Sequence, residues 1–104
     1  MEELRDWLSA QSGGLATFGE FQQRSLTLAQ SQPDHSALFF ILAAAAGRFV
    51  AAYDGLPLAT GVAAEALTRL RTLVDTALGS LDGSAEVQLR TLNVLARTEL
   101  AELS

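Results

Sequence analysis

Few residues in this chain are of reactive types, and their spacing matches no established catalytic or metal-binding pattern. His35 is the one histidine, and a neutral imidazole can serve as a base or a ligand. It follows Asp34 directly. Adjacent helical residues point in different directions, so Asp34 cannot join it as a metal ligand. Arg48 and Tyr53 form a second candidate, set in an otherwise apolar stretch. A guanidinium there must reach outward along its own stem or find a carboxylate. Asp54 is six residues on and off that face, so Glu65, Glu20 or Asp75 from another segment makes a better partner. A group of Arg48, Tyr53 and Glu65, with His35, could bind a small acidic molecule. A structural ion pair accounts for the same residues more simply, because polar groups on central helices are normally paired. Phe39, Phe40, Phe49, Tyr53, Trp7, Phe18 and Phe21 could line an apolar pocket, although aromatics at helical spacing in a small bundle are usually core.

Much chemistry is excluded outright. The chain has no cysteine, which removes disulfides, zinc–thiolate sites and thiol catalysis. Ser-x-x-Lys, Gly-x-Ser-x-Gly, Walker-type and His-Glu-x-x-His patterns are all absent. No metal or cofactor is expected. Net charge is −5, and all seven basic residues are arginines. Only Arg69 and Arg71 are near neighbours, so nothing concentrates positive charge against a phosphate backbone, and nucleic acid is not an expected partner. Absence of Lys beside abundant Ala, Leu and Arg fits a GC-rich bacterial coding sequence. The opening Met1-Glu2-Glu3-Leu4-Arg5-Asp6-Trp7 is acidic where a secretory signal is basic. The longest unbroken apolar run, Ala37 to Ala46, is about half of the ~20 residues that span a bilayer. These features predict a cytoplasmic protein with no membrane association.

The elements that must carry these residues are marked by turn signals. Ser12-Gly13-Gly14, Ser31-Gln32-Pro33, Gly55-Leu56-Pro57 and the stretch from Gly79 to Ser84 divide the 104 residues into five helical segments. The first carries Leu4, Trp7, Leu8 and Gln11 on one stripe. The second opens on Thr17-Phe18-Gly19-Glu20, which reads as a capping box, and presents Phe18, Phe21, Ser25 and Leu28. The third starts with Pro33 at its first helical position and ends at a left-handed Gly55 before Pro57. The fourth shows Ala63, Leu67, Leu70, Val74, Ala77 and Leu78 on one face, is closed by Gly79, and pairs Glu65 with Arg69. In the fifth, Ser84 is the cap, Glu86 pairs with Arg90, and Ala85, Leu89, Leu92, Ala96, Leu100 and Leu103 form the expected inner stripe. A short loop makes segments four and five an antiparallel helix hairpin.

The expected fold is therefore a single all-α domain. It is a five-helix bundle around a central apolar helix of about residues 34–54. From Ala37 to Tyr53 only Gly47 and Arg48 interrupt the apolar character, and a helix apolar all round is buried all round. Helices two, four and five cover three sides of it. A second subunit is the expected cover for the fourth, approaching along the smooth edge Ala43, Gly47 and Ala51. Val87 and Val94, off the leucine stripe of helix five, would add to that interface. The leading functional reading is a non-enzymatic protein–protein interaction module: an adaptor, a chaperone-like protein or a small regulator. Its partner would be a second copy of the chain or a helical segment of another protein. The alternative is a small-molecule-binding protein or enzyme with an apolar pocket near Arg48 and Tyr53.

Overall fold

The most apolar stretch of the chain is enclosed chiefly by the segment just before it. The computed structural model describes residues 2–11 and 14–98. Its helices are α1 (Glu2–Ser9), α2 (Leu15–Ser31), α3 (Ser36–Tyr53), α4 (Thr60–Ser80) and α5 (Ala85–Arg97), with a 3-10 turn at Pro33–His35. No strand occurs among the described residues, and α3 packs against α2, α4 and α5. The all-α bundle around a central helix is what forms.

α2 and α3 make an antiparallel pair whose register can be read from three contacts. The Phe18 and Phe49 rings lie 4.4 Å apart between centroids. The Gln22 side chain closes over Gly47, its amide nitrogen 2.6 Å from where a Cβ would stand. Near the turn, the Ser36 hydroxyl donates to the Ala29 carbonyl at 2.5 Å. These contacts step in opposite directions along the two helices. Ser36 thereby satisfies a carbonyl at the end of α2 that has no partner within its own helix. That tie explains a difference at Pro33. Instead of opening the long helix, Pro33 opens the 3-10 turn, and α3 begins at Ser36. At the other end Gly55 has φ of 72° and the Leu56 amide donates to the Tyr53 carbonyl at 3.0 Å. This is the glycine stop read from sequence.

Three further expectations are corrected. Of the Ser12-Gly13-Gly14 break only Gly14 is described, and it caps α2 with φ 126° and ψ 158°, a conformation closed to residues with a Cβ. The helix therefore starts at Leu15, Thr17 lies inside it, and the capping box does not form; Glu20 pairs with Arg24 at 3.6 Å instead. Gly79 does not close α4, which runs on to Ser80. The inner face of α5 is also rotated from the expected leucine stripe. Leu95 is buried and Gln88, Thr91 and Leu92 are half-buried, whereas Ala85 and Ala96 are exposed and Leu89 is 60% exposed. Leu100 and Leu103 lie outside the described residues. Gln88 supplies the reason. Its Nε2 donates to the carbonyls of Leu81 and Gly83 at 3.2 and 3.1 Å, so the side of α5 that carries Gln88 must face the tight α4–α5 turn. Leu95, two helical turns further on, follows it inward. The Ser84 cap forms as expected, accepting from the Val87 amide at 3.3 Å.

α1 is short and is held by two arginines. Arg71 of α4 donates to the Gln11 carbonyl at 2.7 Å and reaches those of Leu8 and Ser9 at 3.4 Å. It thus places a cation at the negative end of the α1 dipole. Arg24 of α2 lies 4.6 Å from the centroid of the Trp7 ring, a cation–π contact. One core results. Leu8, Phe18, Phe21, Phe39, Leu42, Leu70, Val74 and Leu95, drawn from all five helices, have their side chains fully enclosed.

By length and composition Pro33–Tyr53, at hydropathy 1.7, could cross a membrane, and 39% of its most apolar window is buried in the bundle. The expectation of burial all round is overturned. Phe40 is 50% exposed, and Ala37, Ala44, Arg48 and Ala51 are exposed with it. Most of these are alanines, whose small side chains cost little to leave in water, so the bundle closes without covering that face.

Two measurements check this arrangement. In urea unfolding followed by circular dichroism, Leu95→Ala loses about 2–5 kcal/mol, as buried leucines do. Leu89→Ala stays within about 0.5 kcal/mol, as surface changes do; equal losses would return α5 to the leucine-stripe register. Trp7 is the only tryptophan, so its fluorescence reports on α1. Arg71→Ala makes the Trp7 transition precede the loss of helical dichroism, whereas coincident transitions would mean that Arg71 does not anchor α1.

Candidate interaction surface

The polar residues singled out in the sequence sit on different parts of the fold. His35 is half-buried beside the N-terminal end of α3, in a cleft of about 150 Å³ shared with Asp34, Gln88 and Leu92. Tyr53 is at the opposite end of that helix, and 18 residues at ~1.5 Å each separate them by roughly 27 Å. Its ring packs 5.0 Å from that of Phe49, within the core cluster. Arg48 is exposed and donates through Nη2 to the Thr98 carbonyl at the end of α5, at 3.3 Å. Five residues separate Arg48 from Tyr53, which turns the two side chains about 140° apart. Glu65 points outward from α4 and accepts from Arg69 at 2.9 Å. No small-acid site is assembled from these four. Among the described residues, no three His, Asp or Glu side chains are grouped so as to hold a metal ion. Six of the seven aromatics are buried or half-buried parts of the core, which leaves Phe40 as the exposed exception.

The edge Ala43, Gly47 and Ala51 divides in two. Ala43 is 2% exposed and Gly47 lies under Gln22, so α2 of the same chain already occupies that edge. Ala51 belongs instead to the open sector of α3 with Ala37, Phe40, Ala44, Arg48 and Ala52. On an α-helix these six positions span an arc of about 120°. α2 borders the arc on the Gly47 side. α5 borders it on the other: Leu92 shares the small cleft with Ala37 and Leu38, and Thr98 meets Arg48. These two contacts make α5 run in the same direction as α3. Leu89 and Ala96, on the same flank of α5 as Leu92, extend the apolar character away from the arc. Val87 and Val94 are 41% and 45% exposed on the opposite flank.

The sequence carries one signal for this face beyond general apolarity. Ala37, Ala44 and Ala51 recur every seven residues, the interval that keeps one seam of a helix turned toward a partner helix. A second concavity, about 640 Å³, is an open groove between α1 and α2 lined by Leu4, Arg24, Leu28 and Gln32. Arg24 is engaged there with Glu20 and Trp7. No family model, no curated protein and no solved structure matches this chain.

Proposed function

We propose that the chain is a non-enzymatic protein–protein interaction module of the cytoplasm, and that the open sector of α3 is its docking surface. One observation carries this reading: the most apolar helix of the bundle leaves a continuous face uncovered, with Phe40 half-exposed on it. Phenylalanines are among the side chains most often buried. Fully burying one contributes about 1.5–3 kcal/mol and covering the exposed half of Phe40 about half of that, so a surface Phe among alanines on a central helix is a feature that docking would use. The flanking α2 and α5 hold the face in a fixed shape, and a helix laid onto it would meet a preformed seam. An adaptor, a chaperone-like holder of a helical segment or a small regulator would each use such a face.

A photo-crosslinking residue placed at position 40, with position 75 on the outer side of α4 as the control, tests the reading. After irradiation in the producing cell, position 40 gives discrete adducts with a second copy or another polypeptide, and position 75 does not. Equal and diffuse labelling at both positions would remove the α3 face as a docking surface.

A further inference from the structure

We draw no further inference here: the strongest candidate, the open apolar face of α3 around Phe40, belongs to the surface already described, and nothing in the structure shows what covers it.

Discussion

The antiparallel contact between α2 and α3 is the constraint on which the rest of the bundle depends. α3 is too apolar to be stable in water, and α2, one tight turn away, covers it before any distant segment has to be recruited. The cover is specific: Phe18 stacks against Phe49, Gln22 crosses at Gly47, and Ser36 ties the turn to Ala29. A side chain at position 47 would have to displace the Gln22 amide, so the glycine sets how closely the two helices approach. With that pair fixed, only the remaining sides of α3 are available to α4 and α5. One hydroxyl inside the pair, Ser25, is fully buried and has no hydrogen-bond partner among the described residues. Such a group costs about 1–3 kcal/mol, so close packing of the pair outweighs it.

Arginines finish what apolar packing begins. Every basic residue is an arginine, and two of them reach from one helix to the carbonyl end of another: Arg71 to the end of α1 and Arg48 to the end of α5. The acceptors, Gln11 and Thr98, lie just past the last residue of α1 and of α5, where the chain carries the negative end of the helix dipole. A lysine's compact ammonium would not offer the same rigid set of donors. The interhelical polar links among the described residues thus serve helix docking. This explains why the residues that looked most reactive in sequence do not converge: Arg48 and Glu65 are already committed to structural partners, and Tyr53 to the core.

How much of this could be read in advance varied with the kind of signal. Helix number, the stop at Gly55, the Ser84 cap and the inner face of α4 rest on local rules, and they were visible. Effects set by tertiary contact were not. The rotation of α5 depends on Gln88 satisfying carbonyls in a turn whose geometry is not local to the helix. The start of α2 depends on a backbone conformation at Gly14, whereas the Thr17-x-x-Glu20 pattern competes for the same role and loses. For the α3 surface, composition led to burial on every side. What composition could not express is that Leu38, Phe39, Leu42 and Phe49 share the inner side of the helix while Ala37, Ala44, Ala51 and Ala52 lie on the outer one with Phe40 and Arg48. Plotted on a helix, the seven-residue recurrence of Ala37, Ala44 and Ala51 carries that information.

A surface this apolar on a central helix invites the question of why α1 does not cover it. With eight residues, α1 is about 12 Å long, less than half the length of α3. It is already fixed elsewhere, at its end by Arg71 and along its side by Arg24 over Trp7. α5 cannot move over the face either, because Gln88 holds it at the α4–α5 turn and Thr98 at Arg48. The described helices are thus each tied to a position that leaves the same arc open, and the ties are polar and directional rather than merely apolar. A bundle with slack in its connections would close over Phe40. This one is braced by its polar ties, which makes the open arc a consequence of the fold's own bonding.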